Sequence, residues 1–405
     1  IKDPRKPQGQ ISPCTAAERH ENNKQDDDED RASIVSLDSD STNGPFFWYR
    51  VVSKFVPKPR NCHTATMVGD KMLVFGGFGG SKWFEELWTF DTRNIEWHQP
   101  ELQRTVFGAS HPCPPARYAH SCVSFRGLLY VFGGYGGADS WLGDLWVLDT
   151  QSIRVRDQTK AIMSWSKPDT VGEAPSPRAA HTANVVGSRI FIFGGNDGTV
   201  RMNDLYSLDT QNMEWKREIC AGELPAPRAG HTMTLLPAES ATEDSNPKLL
   251  LFAGGDVTCV FNDVHVLDME SLRWSAQPTS GPRPSARAGH CACTLPGGDL
   301  LVWGGGSVGK VMNDLHVLNV GTMTWSGEVH LKMSPEPRVG HSVCMWGTEM
   351  YVFGGGDSNT VFGDLTILDT EALMQHGGGC GRNHVTPQCE ESPISNLVGG
   401  AGNRA

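Results

Sequence analysis

A Gly-Gly pair closes a short apolar strand six times along this chain, always inside the same longer phrase. The pairs are Gly76-Gly77, Gly133-Gly134, Gly194-Gly195, Gly254-Gly255, Gly304-Gly305 and Gly354-Gly355. An Arg-x-x-His element precedes each of them: Arg60/His63, Arg117/His120, Arg178/His181, Arg228/His231, Arg287/His290 and Arg338/His341. An acid and an aliphatic residue follow, as in Asp144-Leu145, then a second strand such as DLWVLDT, and Trp97, Trp215, Trp274 or Trp325 closes the unit. Successive arginines stand 50 to 61 residues apart. A period of that length, built from short strands and turns, marks a repeat array in which no unit buries its apolar face alone.

One unit reads as four antiparallel strands. In the third, HTANVV is strand a, RIFIFGG strand b, DLYSLDT strand c, and the stretch around Trp215 strand d. β-branched and aromatic residues separated by turn signals support that division. The Gly pair ends strand b, where the backbone needs positive φ or close approach to a neighbour. The residue two before the repeat acid is always large (Phe84, Leu142, Met202, Phe261, Met312, Phe362) and reads as packing between units. From His to the first Gly is 23 residues in repeat four against 13 or 14 elsewhere, which predicts a ten-residue insertion around Pro237 to Lys248 in the a–b turn. A second insertion lies between strands c and d of repeat two, where Asp149 and Trp165 stand 16 apart.

The sixth repeat ends at Asp369 with no tryptophan behind it, whereas Trp48 in Phe46-Phe47-Trp48-Tyr49-Arg50 stands 12 residues before Arg60. An N-terminal strand d completing the last unit closes the ring and removes an unpaired sheet edge. The expected fold is all-β, a six-bladed propeller over 45–373, between a disordered acidic tail (1–44) and a Gly-rich flexible tail (374–405).

These residues resemble kelch repeats: the Gly doublet, the spaced Trp, and the Pro-x-Pro-Arg-x-x-His run of PSPRAAH, PAPRAGH and PEPRVGH. The resemblance implies a six-bladed kelch propeller serving as a protein-binding platform, often as the regulatory part of a larger phosphatase or ubiquitin-ligase adaptor. The fold by itself does not name a function. Galactose-oxidase-like enzymes share it but need copper on two Tyr and two His, and most of the 6 tyrosines here sit at repeat positions. Nitrile-specifier-like proteins need Glu-x-x-x-Asp-x-x-x-His, which the chain lacks. Arg, His and Asp recurring in every unit point to a structural network, since a catalytic site is a single asymmetric constellation. No enzyme activity, cofactor or metal is expected.

Strand alternation puts the b–c and d–a loops on one face, the usual binding surface of such propellers. Lys82, Trp83, Tyr135, Trp141, Arg201 and Lys310 fall in those loops. Trp, Tyr and Arg are frequent interface anchors, although Trp83 and Trp141 equally suit folding back on their blades. Val260, Val311 and Val361 take the same position in blades four to six, so binding should lean towards blades one to three. The cations suggest an acidic or phosphorylated peptide.

A net charge of −11 excludes a phosphate-binding basic protein. No run reaches the roughly 18 apolar residues of a membrane helix. The 11 cysteines include no Cys-x-x-Cys pair, which favours a reducing, cytoplasmic or nuclear setting. Ser33 to Ser41 resembles a SUMO-interacting motif through Ile34, Val35 and Leu37 beside acids, and equally reads as part of a solvated acidic tail. His376, Cys380, His384 and Cys389 are four residues of metal-ligand type, but their spacing matches no zinc knuckle.

Overall fold

Each blade starts directly behind its repeat histidine. The computed structural model describes residues 32–37 and 48–371, apart from 104, 107–108, 111, 138–139, 151–161, 238–245 and 332. Strands a to d are Thr64–Val68, Lys71–Phe75, Leu87–Asp91 and Glu96–His98 in blade 1, and Ser121–Phe125, Leu128–Tyr135, Trp141–Asp149 and Ile162–Ser166 in blade 2. Blade 3 runs Thr182–Val186, Arg189–Asn196, Arg201–Asp209 and Glu214–Glu218; blade 4 runs Thr232–Leu235, Lys248–Phe252, Val264–Asp268 and Arg273–Ala276. Blade 5 comprises Cys291–Thr294, Leu300–Ser307, Lys310–Asn319 and Thr324–Glu328. Blade 6 takes Ser342–Trp346, Glu349–Phe353 and Leu365–Asp369 from the end of the chain and Trp48–Val52 from its start. Trp48 pairs with Leu368 and Val51 with Leu365, antiparallel, so the N-terminal strand d closes the ring.

Tryptophan sets the spacing of the blades. In every case the strand-d Trp stacks on the strand-b aromatic of the blade before it: Trp165 on Phe75, Trp215 on Phe132, Trp274 on Phe193, Trp325 on Phe252, Trp48 on Trp303 and Trp97 on Phe353, at centroid distances of 5.0 to 5.5 Å. These rings are almost fully buried, and burying side chains of that size is worth about 2–3 kcal/mol each.

Around the axis the strands a touch one another in sequence, blade 6 against blade 1 included. A closed ring of peptide hydrogen bonds joins them. The N–H of Ala119 donates to Cys62 C=O (2.7 Å), Ala180 to Ala119 (2.7 Å), Gly230 to Ala180 (2.9 Å), Gly289 to Gly230 (2.9 Å), Gly340 to Gly289 (3.0 Å) and Cys62 to Gly340 (2.6 Å). All six residues have positive φ, between 49° and 64°. Three of them are not glycine, so the ring holds Cys62, Ala119 and Ala180 in a conformation that side chains disfavour.

Two expectations from the sequence are corrected here. The structural doublet of blade 4 is Ala253-Gly254, one residue before Gly254-Gly255. The Arg228 guanidinium binds Ala253 C=O, as Arg178 binds Gly194 C=O, and Ala253 adopts φ 56°. Its small Cβ is tolerated at the αL position, which disguised the alignment. The propeller also does not begin at residue 45. Ser33–Ser36 forms a fifth strand antiparallel to Trp48–Val52, with Ser33 opposite Val52 and Ser36 opposite Tyr49. Ala32 and Ile34 are buried in the cluster between blades 6 and 1, beside Trp88, Ile95 and Trp97. The aliphatic residues that suggested a SUMO-binding strand serve this sheet: Ile34 is buried, Leu37 packs against the cluster of Trp48, Leu295 and Trp303 between blades 5 and 6, and Val35 faces solvent. Other residues of both expected tails, His376, Cys380, His384 and Cys389 among them, lie outside the described residues.

Candidate functional site

The repeated Arg, His and acid are consumed by the fold. Arg117 donates through Nη1 to Asp144 (2.8 Å) and Gly133 C=O (2.9 Å), through Nη2 to Asp144 (3.0 Å), and through Nε to Pro115 C=O (3.1 Å). Arg178–Asp204, Arg228–Asp263, Arg287–Asp314 and Arg338–Asp364 repeat the fork. Arg60 meets Glu86 at 3.2 Å in blade 1. All six guanidiniums are fully buried, and such forks are the geometry in which buried arginine is satisfied. His265 and His316 buttress Asp263 and Asp314 at 3.0 and 2.8 Å.

Histidine does the same between blades. Nε2 of His63, His120, His181, His231 and His290 meets a hydroxyl of the preceding blade: Ser342, Thr64, Ser121, Thr182 and Thr232, at 2.7 to 3.1 Å. Burial, reinforced by the arginine of the same blade, holds these imidazoles well below their usual pKa, to about 3 for His181 and His231. They are neutral struts.

The b–c loops carry what varies. Backbone bridges build a three-residue row on this face of every blade, from the residue after the repeat Arg, through the residue after the doublet, to the residue three before the acid. The rows read Asn61–Phe78–Trp83, Tyr118–Tyr135–Trp141, Ala179–Asn196–Arg201, Ala229–Gly255–Val260, Ala288–Gly306–Val311 and Val339–Gly356–Val361. Blades 1 and 2 are therefore aromatic and blade 3 polar, while blades 4 to 6 offer small and aliphatic residues.

Five rings form a continuous ridge across blades 1 and 2. Trp83 stands 5.3 Å from Phe78, Phe78 5.9 Å from Tyr118, Tyr118 5.7 Å from Tyr135, and Tyr135 5.0 Å from Trp141. All five are half-buried. Each tryptophan also leans over a glycine of the next blade. A Cβ on Gly137 would lie 3.1 Å from the Trp83 indole, and one on Gly198 would lie 2.8 Å from that of Trp141. The structure thus joins Trp83, Tyr135 and Trp141 through Phe78 and Tyr118, which the sequence reading missed. Their signal was available as the residue after each doublet and the residue after each repeat Arg.

Arg201 is half-buried at the end of the ridge, on the blade 3 loop that Trp141 covers; Lys82 is exposed beside Trp83. Lys310 lies apart from them, in blade 5. None of these three cations carries an ion pair among the described residues. Three acids of the same face are engaged within their own turns: Asp197 accepts from the N–H of Thr199 and Val200, Asp256 from Thr258 and Cys259, Asp357 from Asn359 and Thr360. Those hydrogen bonds keep each carboxyl below its usual pKa. The chain between blades 1 and 2 contains a small hairpin, Thr105–Val106 against Ala109–Ser110. A cleft of about 310 Å³ opens elsewhere, between strands c and d of blade 4 and Arg283, and its Asp263 and His265 already bind each other.

Comparison with known proteins agrees with this architecture. The family model for the KLHDC2/KLHL20/DRC7 Kelch-repeats domain matches residues 22–113, 103–241 and 238–395, and the chain belongs to the kelch-repeat family. It is 31% identical over 363 residues to host cell factor of Drosophila melanogaster, covering 80% of this chain and 23% of that protein. Human host cell factor 1 is 30% identical over 360 residues, covering 80% and 17%. Acyl-CoA-binding domain-containing protein 5 of Arabidopsis thaliana is 30% identical over 321 residues, covering 78% and 39%. The chain spans less than half the length of these relatives. Among the described residues no helix is long and apolar enough to cross a membrane, and no group of three His, Cys, Asp or Glu is placed to hold a metal ion.

Proposed function

We propose that this propeller is a non-catalytic protein-interaction module that holds an extended acidic or phosphorylated segment of a partner on its b–c/d–a face. The observation that carries the reading is the aromatic ridge. Five half-buried rings on two adjacent blades, beside a Gly/Val floor on blades 4 to 6, make the face asymmetric where the rest of the fold repeats. Aromatic rings give large contact area at little conformational cost. Among the described residues Lys82 and Arg201 flank the ridge unpaired, whereas Asp197, Asp256 and Asp357 are held by their own turns, which favours an anionic segment. The use of every repeat Arg, His and acid in the fold supports a binding role over a catalytic one. The short share of each relative that the chain spans supports a role as one part of a larger adaptor. Eight described cysteines, all free, suit a reducing cytoplasmic or nuclear setting.

The test is an array of acidic, phosphorylated and neutral twelve-residue peptides probed with the full chain. Two variants go beside it, Lys82→Glu/Arg201→Glu and Trp83→Ala/Trp141→Ala, each checked for folding by thermal melting. Preferential binding of anionic peptides that both variants lose by tenfold or more supports the face. Binding that survives in both variants removes it.

A further inference from the structure

Among the described residues five of the six blades carry a segment on the outer edge of strand d, and blade 1 does not. In blades 2 to 5 the carbonyl two residues before the strand-d Trp accepts from the preceding linker: Met163 from Gln103 (2.8 Å), Met213 from Val171 (3.1 Å), Leu272 from Ala221 (3.0 Å) and Met323 from Ser280 (3.0 Å). The linker lies parallel to strand d, with Gly172 opposite Trp215 and Gly222 opposite Trp274. In blade 6 the edge is taken by Ser33–Ser36, whose neighbour Leu37 donates to Trp48 C=O at 2.9 Å. The equivalent groups of blade 1 are Ile95 C=O and the N–H and C=O of Trp97. Among the described residues none of the three has a hydrogen-bond partner.

The sequence shows why the linker of blade 1 differs from those of blades 3 to 5. Gly172, Gly222 and Gly281 have φ of 83°, 84° and 74°, and a Cβ on any of them would collide with the carbonyl oxygen of Trp215, Trp274 or Trp325. Only glycine can lie that close to the edge at positive φ. All three stand six residues before the repeat Arg, and in blade 1 that position is Lys54. The linker there turns away instead, with Phe55 stacked on Trp88 at 4.9 Å. This stretch exposes apolar side chains: Val52 is 50% exposed, Phe55 54% and Val56 40%, with Phe55 against Trp88, the neighbour of Trp97.

We propose that blade 1 accepts one extended strand from a partner protein, parallel to Glu96–His98, with the pattern small-or-apolar residue, glycine, glutamate. The pattern is the one the fold itself seats on the equivalent edges, as Val171-Gly172-Glu173 and Ala221-Gly222-Glu223. Its glycine lies against Trp97 C=O. Its glutamate reaches the Gln99 N–H, as the Glu223 carboxylate accepts from Ala276 N–H at 3.1 Å in blade 4. Main-chain hydrogen bonds supply the affinity of such strand addition, and the glycine requirement supplies selectivity. This rim site is separate from the aromatic ridge.

The test is amide hydrogen exchange on the full chain, with a capped peptide copying residues 168–174 (PDTVGEA) as probe. In the free chain the Trp97 amide should exchange at least 100-fold faster than that of Trp325, which donates to Ser280 C=O at 2.9 Å. Saturating peptide should slow it at least tenfold, and a peptide with valine in place of its glycine should not. Phe55→Asp/Val56→Asp should weaken binding severalfold while the melting temperature holds. Equal protection of Trp97 and Trp325 in the free chain overturns the proposal, because the edge is then already occupied. Trp97 exchange that slows with protein concentration alone makes a second copy of the chain the occupant and also overturns it. So does a peptide that leaves Trp97 unchanged.

Discussion

Cys291 faces His341 across the seam between blades 5 and 6, where its thiol donates to the His341 backbone carbonyl at 3.0 Å. In the other five blades the residue after the repeat histidine is Ser or Thr, and its hydroxyl meets Nε2 of the next blade's histidine. Among the described residues His341 is therefore the one repeat histidine whose buried Nε2 has no partner. A satisfied hydrogen bond is worth about 0.5–1.5 kcal/mol net, and a buried polar atom left alone costs about 1–3. Cys291→Ser should restore the sixth strut and raise stability by about 1 kcal/mol, read from urea midpoints at constant slope. An unchanged or lower midpoint would show that the thiol–carbonyl contact outweighs the missing strut.

The same histidines set the acid limit of the fold. All six repeat imidazoles are buried, and desolvation, then the arginine beside each, depresses the pKa, to about 3 for His181, His231 and His341. His63, His120 and His290 are also lowered well below 6.5. Once unfolded, each titrates near its ordinary 6.5. Between these values the unfolded chain binds more protons than the folded one, so stability rises with pH there. It is fully present above about 6.5 and is lost as pH falls towards 3, by up to about 1.4 kcal/mol per pH unit for each histidine. Urea midpoints should be level from pH 7.5 to 6.5 and fall steeply by pH 5. A level profile down to pH 5 would contradict the neutral-strut reading.

Arginine separates structural positions from candidate binding positions. Arg117 is fully buried and binds Asp144, Gly133 C=O and Pro115 C=O at once, so Arg117→Ala removes the cation from Asp144, which keeps only the Trp146 N–H, and the side-chain donor from two carbonyls. Breaking a buried pair from one side costs about 3–5 kcal/mol. Among the described residues half-buried Arg201 has no such partners, and a substitution that breaks no buried network should stay within about 0.5 kcal/mol. Thermal melting of the two variants should therefore differ sharply. Comparable losses would mean that Arg201 helps hold blade 3 together.

The parts of this architecture that every blade repeats were legible in the sequence: blade number, strand order, the closing Trp48 strand and the paired Arg and acid. Repetition made them readable, because the same backbone geometry demands the same residue type at each turn. What one blade does alone was not. Ala253 in place of the first glycine of its doublet shifted an alignment by one residue. Ile34 was hidden because a four-residue edge strand between acidic stretches has the composition of a solvated tail, and only contact with Ile95 and Trp97 reveals its role. Trp83, Tyr135 and Trp141 stood out as residue types, but their union through Phe78 and Tyr118 depends on register across the bridge pairs, which spacing does not disclose.

The N-terminal strand gives a last prediction. Ile34 is 3% exposed and lies in one cluster with Trp88, Phe90, Ile95 and Trp97, so Ser33–Ser36 fastens the last blade to the first. The propeller is already closed by Trp48–Val52, so this strand reinforces a seam that exists without it. Ile34→Ala should cost about 2–3 kcal/mol, within the usual range for truncating a buried isoleucine. Val35→Ala, at a 46% exposed position on the same strand, should cost less than about 0.5. A chain starting at residue 45 should fold, with the loss of Ile34→Ala plus that of the strand's hydrogen bonds. Purified SUMO should bind the intact chain through residues 34–37 no better than it binds the Ile34→Ala variant, because pairing with Trp48–Val52 and burial occupy the strand. Tight binding that Ile34→Ala abolishes would mean that the seam opens readily and the strand serves as a ligand.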